Sequence, residues 1–342
     1  MEFKRTEIQA LGEFGLIDKI TKKFVNQNPT TIKGVGDDAA VIKMEDKCLV
    51  MSSDMLTENI HFDLSFTPLK HLGYKSVVVN VSDIAAMNAI PAQILVNIAL
   101  SNRFSVEAVE EIYAGIALAC AHYKIDLAGG DTTSSASGLV ISVTATGFAD
   151  QSKLSYRSGA REKDIVCVTG DLGAAYMGLQ VLNREKTEFT ANPAMQPKLD
   201  EYEYIVQRQL KPEARTDIIY ELNELDIIPT SMIDVSDGLA SELFHLSKNS
   251  GVGLSIFEEN LPLDRRTYEA AVEFNIDPVT CMMNGGEDYE LLFTIAQKDY
   301  EKIKNHQDIH LIGFADHKDA GVNLITKNQH KVPVKAQGWQ HF

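Results

Sequence analysis

Five places in the chain put carboxylates where they are costly unless a partner meets them. Gly34-Val35-Gly36-Asp37-Asp38-Ala39-Ala40 sets two adjacent acids after a glycine turn and ahead of a strand-like run. Aspartate is a poor strand former, so the pair marks a capped turn or a ligand site. Ser52-Ser53-Asp54 closes the apolar run from Cys48 to Met51, and ligands in α/β proteins gather at the carboxyl ends of buried strands. Asn80-Val81-Ser82-Asp83-Ile84-Ala85-Ala86-Met87 interrupts an otherwise apolar helical stretch. Asn80 and Asp83, three apart, share a face. That face is either a solvated stripe or a place where Asp83 meets a positive group. Ala128-Gly129-Gly130-Asp131-Thr132-Thr133 joins two glycines, which let backbone amides approach a phosphate, to an acid able to hold a metal. The fifth place is a pair of segments: Ile233-Asp234-Val235-Ser236-Asp237-Gly238-Leu239, where Asp237 caps a helix or binds a ligand, and Asn284-Gly285-Gly286-Glu287-Asp288-Tyr289-Glu290.

Taken together these segments supply at least six carboxylates at element ends, with no His/Cys cluster of the kind that binds zinc. Hard oxygen donors suit Mg²⁺, and polyphosphate is the common partner of a magnesium cluster. The chain has no GxxxxGK[ST] loop and no HRD…DFG set, and Gly34–Asp38 lacks the third glycine of a dinucleotide fingerprint. Nucleotide binding would therefore rest on metal bridging and glycine backbone, without a P-loop lysine.

The elements that must carry these groups alternate between strand and helix. Strand-like runs lie at Ala39–Lys43, Cys48–Asp54, Gln93–Leu100 and Leu139–Ala149, separated by helical stretches at Lys70–Met87 and Val106–Tyr123. Ser105 is a suitable N-cap for the second helix. A further helical pattern surrounds Glu13–Phe24. The polar, turn-rich Asp150–Gly159 marks a boundary, giving two expected domains, 1–150 and 151–342. In the second, Ile165–Thr169, Met232–Val235, Leu254–Phe257 and Leu291–Ile295 read as strands. Ala174–Leu182 and Leu239–Lys248 read as helices, and Arg184–Lys198 as a polar loop. The fold class is α/β or α+β, with no solenoid repeat.

Length and composition agree: 342 residues suffice for two cores, and 44% hydrophobic with 23% charged residues is ordinary for a globular protein. A net charge of −16 without a basic cluster argues against nucleic acid as a partner. Four cysteines without a CxxC pair read as reduced core residues. The start lacks a signal-peptide core, and no run of about 18 apolar residues suggests a membrane span. The expected location is cytoplasmic.

The segments GVGDDAA, SSDMLTENIHF, NVSDIAAM, GGDTT, SYRSGA, MIDVSDGL and GGEDYELLFT, in this order, resemble the thiamine-monophosphate kinase family. Its superfamily also holds aminoimidazole ribonucleotide synthetase, selenophosphate synthetase and the hydrogenase-maturation dehydratase. The likeness runs from Gly12–Ile17 to Gly338–Phe342, with two departures: Asn59 and Asn88 stand where the family commonly has glycine, and asparagine tolerates left-handed backbone.

What the resemblance implies is specific. The fold would have an N-terminal α/β domain that pairs with its copy in a homodimer and a C-terminal α/β domain that closes over nucleotide and substrate. The activity would be ATP- and Mg²⁺-dependent conversion of thiamine monophosphate to thiamine pyrophosphate, by direct transfer without a phospho-enzyme. A requirement for K⁺ is left open. By the same resemblance Asp38, Ser52, Ser53, Asp54, Asp83, Asp131, Asp234 and Asp237 correspond to magnesium ligands, with Asp54, Asp131 and Asp237 central to catalysis. Tyr113, Gly130, Asp131, Arg157 and Ser236 correspond to nucleotide contacts, and His61, Glu287 and Trp339 to the thiamine phosphate site. Tyr113 as a core aromatic and His61 as a structural histidine are the plainer alternatives. Within the superfamily, the first cysteine is Cys48, inside an apolar run, which disfavours selenophosphate synthetase, and the last is Cys281, which disfavours a cysteine-tailed dehydratase. An aminoimidazole ribonucleotide synthetase-like enzyme and a non-catalytic nucleotide-binding protein are the remaining alternatives.

Overall fold

The computed structural model describes residues 29–336 together with Gly15, Ile17 and Thr21. The pattern around Glu13–Phe24 and the residue Trp339 thus lie wholly or mainly outside the described residues. From Pro29 onward the chain runs through β1 (Thr31–Lys33), β2 (Ala40–Lys43), β3 (Cys48–Thr57), α1 (Leu69–Ala86), β4 (Ile90–Leu100), α2 (Val106–Tyr123), β5 (Asp126–Ser134) and β6 (Val140–Ala149). Strict alternation in β6 buries Ile141, Val143 and Ala145 and leaves Ser142, Thr144 and Thr146 on the other face. The six strands form one sheet in the order β1-β2-β3-β6-β4-β5. All neighbours are antiparallel except β4 and β5, whose parallel pairing is made possible by the α2 crossover.

Both helices cover one face of this sheet. Ser105 caps α2 by accepting from the Ala108 N–H. The helices cross at two glycines: a Cβ on Gly73 would lie 1.9 Å from the Ile112 carbonyl, and one on Gly115 1.8 Å from that of Lys70. α1 is buried almost all round, as expected of a helix enclosed by neighbours on every side. The opposite face of the sheet exposes Met55 and Leu95, and β5 is an exposed, unpaired edge among the described residues.

The second sheet has the order β13-β12-β9-β11-β7-β10-β8. Its strands are β7 (Ile165–Thr169), β8 (Ser231–Asp234), β9 (Gly253–Phe257), β10 (Leu291–Ile295), β11 (Ile309–Asp316), β12 (Val322–Ile325) and β13 (Lys331–Pro333). Helices α3 (Ala174–Ala191), α4 (Glu203–Leu210), α5 (Thr216–Glu224), α6 (Leu239–Ser250), α7 (Arg265–Glu273) and α8 (Pro278–Asn284) accompany it. Edge strand β8 meets the buried helix of the first layer, where the Ser82 hydroxyl donates to Asp234 at 2.6 Å.

One expectation is corrected. The stretch from Arg184, read as a loop, continues α3 as far as Ala191. Arg184 is anchored there: it pairs with Glu185 and Glu273 and lies over the Tyr202 and Phe274 rings. The Gly129-Gly130 segment, to which the sequence assigned no element, is part of strand β5. Glycine is required there because φ at Gly130 is +151° and a Cβ would stand 1.8 Å from the Val96 carbonyl. Asn59 and Asn88 adopt φ of +65° and +55°, the left-handed backbone that their glycine-like positions suggested.

Candidate functional site

The polar residues of α1 organise the site. Asn80, fully buried, accepts from the Asp54 N–H at 2.9 Å and donates to the Ser76 carbonyl at 3.1 Å. One turn on, Asp83 accepts from the Ser52 hydroxyl and shares a hydrogen bond with Asp54. Ser52 and Asp54 lie two apart on β3 and so face α1 together. β8 contributes Asp234, and the turn before β2 contributes Asp38.

The carboxylates of Asp38, Asp83 and Asp234 each place an oxygen within 4.8 Å of the other two. Only 2% of Asp234 and 8% of Asp38 is exposed. Loss of hydration is the main cause that pushes the Asp234 carboxyl up to about 7, and the Asp38 charge adds to it. Asp83 is raised well above the usual carboxylate range by the same burial and then by Asp54, Asp234 and Asp38. Asp38 is raised by burial against the opposing pull of Arg157. That guanidinium grips Asp38 with two bonds, of 3.0 and 2.8 Å, while the Arg157 backbone N–H donates to Asp37 at 3.0 Å. One guanidinium among this many acids leaves the cluster short of positive charge. Oxygen-only donors with mutual repulsion fit a hard divalent cation.

The other expected residues fall into three groups. Beside the cluster, Asp237 is half-buried and donates its N–H to Glu242 at 3.0 Å; the Ser236 carbonyl accepts from the Glu287 N–H at 2.7 Å. Glu287 itself is held by Lys75 and Gln209. His61 accepts the Thr57 N–H on Nδ1 at 2.9 Å, closing the turn after β3.

A second group lies apart from the three-acid cluster: Tyr113, Gly130 and Asp131 line a pocket of about 320 Å³ along β5, with Val96, Leu127 and Gly129. Finally, Ser53 turns away from Asp83, its hydroxyl bonded to the Val143 carbonyl and Thr144 on the sheet's outer face. Its side chain therefore does not join the cluster, because neighbouring strand residues point to opposite faces.

Lys75 and Glu242 escaped the sequence reading. Each is a lone charge in an apolar helical run, Lys75 beside Val77-Val78-Val79 and Glu242 before Leu243-Phe244. That was the available signal. Both are 3% exposed, and burial beside Asp237 and Asp234 raises Glu242 well above the usual range.

Comparisons with known proteins bear on the family and the fold. Residues 36–149 match the family model of the AIR synthase related protein, N-terminal domain. The thiamine-monophosphate kinase of Buchnera aphidicola (subsp. Schizaphis graminum) is 35% identical, covering 97% of this chain and 99% of its own. That of Bacillus subtilis is 32% identical over 97% of this chain and its own full length. A solved structure, AaThiL complexed with AMPPCP and TMP, superposes with a TM-score of 0.85 at 31% identity, covering 100% of both chains. The E. coli hydrogenase maturation protein HypE, at 18% identity and a TM-score of 0.68, shares the fold. Identity above 30% along nearly the whole length and the same fold lead to one assignment: the chain belongs to the thiamine-monophosphate kinase family.

Proposed function

We propose that this protein transfers the γ-phosphoryl group of ATP to thiamine monophosphate, forming thiamine pyrophosphate. The observation that carries this reading is the meeting of Asp38, Asp83 and Asp234 beside Arg157, in a chain whose relatives are thiamine-monophosphate kinases and whose structural match holds an ATP analogue.

The acceptor needs little activation. A phosphate monoester has its second pKa near 6 by analogy with phosphoserine, so it is already a nucleophile at neutral pH. The obstacle is repulsion between two anions and their alignment. Asp38, Asp54, Asp83 and Asp234, with Ser52, Asp131 and Asp237, are assigned to hold Mg²⁺, which when bound neutralises phosphate charge. Arg157 is assigned to the phosphates of ATP, since a guanidinium binds phosphate oxygens in pairs. The pocket of Tyr113, Gly130 and Asp131 is assigned to the nucleotide along with Ser236. His61 and Glu287 are assigned to thiamine monophosphate, as is Trp339.

We read residues 1–150 as the nucleotide-binding and dimerising domain and 151–342 as the domain that closes over both substrates. The end of the first sheet at Ala149 and the start of the second at Ile165 support this division. The unpaired edge of β5 and the apolar Met55 and Leu95 on the outer face support a homodimer through the first sheet. A cytoplasmic location is proposed for a biosynthetic enzyme of this family; among the described residues no helix is long and apolar enough to cross a membrane.

The test is incubation with ATP, Mg²⁺ and thiamine monophosphate, followed by chromatography. Thiamine pyrophosphate should appear, and free thiamine offered instead should remain unphosphorylated. Efficient phosphorylation of free thiamine, or no pyrophosphate from the monophosphate, would overturn the reading.

A further inference from the structure

Lys75 lies in the middle of α1, with 3% of its side chain exposed. An ammonium so placed has lost its water and depends on its partners. The structure provides two, both from the second half of the chain. The Glu287 carboxylate stands 2.7 Å away, and the Gln209 carbonyl accepts at 3.2 Å. The Gln209 side-chain amide in turn donates to the other oxygen of Glu287 at 2.7 Å. Both oxygens of one carboxylate are thus tied, one by a helix on the first sheet and one by α4.

The backbone of Glu287 is held as firmly. Its φ is +65°, and Tyr289 two residues on has φ of +53°. Such angles are unfavourable for residues with a Cβ and persist where surrounding contacts impose them. The Glu287 N–H donates to the Ser236 carbonyl, and Gly286 is pressed so close that a Cβ would meet that carbonyl at 2.6 Å. The loop is therefore clamped onto the segment that carries Asp234 and Asp237. Despite these ties, 29% of the Glu287 side chain remains exposed.

Resting on the assignment of Glu287 to thiamine monophosphate, we infer that Lys75 is a positioning residue for that substrate. It holds the Glu287 carboxylate from across the junction of the two sheets and neutralises its charge. A neutralised carboxylate with unused lone pairs suits an N–H donor, such as the amino group of the thiamine pyrimidine, better than it suits the thiazolium cation. Lys75 does not need to touch the substrate to set its affinity.

A mutant cycle tests this in the full-length protein with ATP, Mg²⁺ and thiamine monophosphate. Lys75→Met should raise KM for thiamine monophosphate at least ~10-fold, while KM for ATP stays within about 2-fold of wild type. Glu287→Gln should also raise KM for thiamine monophosphate. The double variant should match Glu287→Gln alone, because Lys75 acts only through that side chain.

An unchanged KM in Lys75→Met would overturn the inference. So would a parallel rise in both KM values, or a double variant whose effect is the product of the two single effects. If Lys75→Met does not fold, comparison of the double variant with Glu287→Gln still decides: equality supports the positioning role, and a further loss in KM refutes it. A wild-type protein that fails to phosphorylate thiamine monophosphate would remove the substrate assignment itself, a result distinct from active wild type with an indifferent Lys75.

Discussion

Burial and neighbouring acids push the Asp83 and Asp234 carboxyls above the ordinary carboxylate range. Asp83→Asn should lower turnover by more than ~100-fold, the scale expected when electrostatic stabilisation of a transferring phosphoryl group is lost. The same change should leave the melting temperature of the metal-free protein unchanged or higher, because it removes one of several crowded acids. Near-native turnover with a lowered melting temperature would reverse this assignment. The acidity of Asp234 adds a pH dependence of definite sign. Its folded value of about 7 lies above the ordinary 3.8, so its contribution to stability is full below about pH 4 and is lost as pH rises through about 7. Asp288, raised to about 7 chiefly by burial, adds in the same direction. In chelator, melting temperature should fall between about pH 4 and 7 and level off above that. Added Mg²⁺ should raise it more at pH 8 than at pH 6, since ligands must be ionised to bind. A magnesium shift of equal size at both pH values would count against Asp234 as a ligand.

At the level of elements, α1 sets the geometry, and α2 fixes where α1 lies. Gly73 and Gly115 allow the two backbones to touch, each glycine pressed on a carbonyl that cannot swing aside. Gly115→Ala should cost about 1–3 kcal/mol as an overpacking change, measured by chemical denaturation, and should lower turnover by displacing Asn80 and Asp83. Unchanged stability would mean that the helices can slide apart without penalty. α2 was legible in the sequence to its last residue because a good cap, Ser105, opens a long periodic run ending at Tyr123. β5 was not legible, since two glycines and an aspartate look like a turn until β4 supplies the hydrogen bonds that make them a strand. The far part of α3 was missed for the opposite reason: its polarity resembles a loop, although Arg184 and Glu185 find partners on neighbouring elements.

On the scale of the whole molecule, β5 is the open edge of the first sheet among the described residues, and Met55 and Leu95 are exposed on the face away from α1. Sedimentation at micromolar concentration should show a dimer, and Leu95→Asp should shift it to monomer by placing an unpaired charge in the contact. A wild-type monomer, or a mutant dimer of unchanged affinity, would show that this face is not the contact.

The sequence alone determined the membership of the chain and the inventory of its chemistry. Its motifs name a family, its carboxylates at element ends mark segments that the acidic cluster draws on, and the two asparagines in glycine-like positions do take left-handed backbone. Those properties depend on residue type and on near neighbours, which patterns of period two and 3.6 report. Tertiary structure decided which of the acids meet. Asp38, Asp83 and Asp234 converge because α1 is packed against both β3 and β8, whereas Asp131 stands on β5 in another pocket and the Ser53 hydroxyl faces outward. Only the same packing brings Lys75 to Glu287. A lysine among valines shows in the sequence that a buried charge needs a partner, but which carboxylate answers it is settled by contacts between segments far apart in the chain, where no local periodicity reaches.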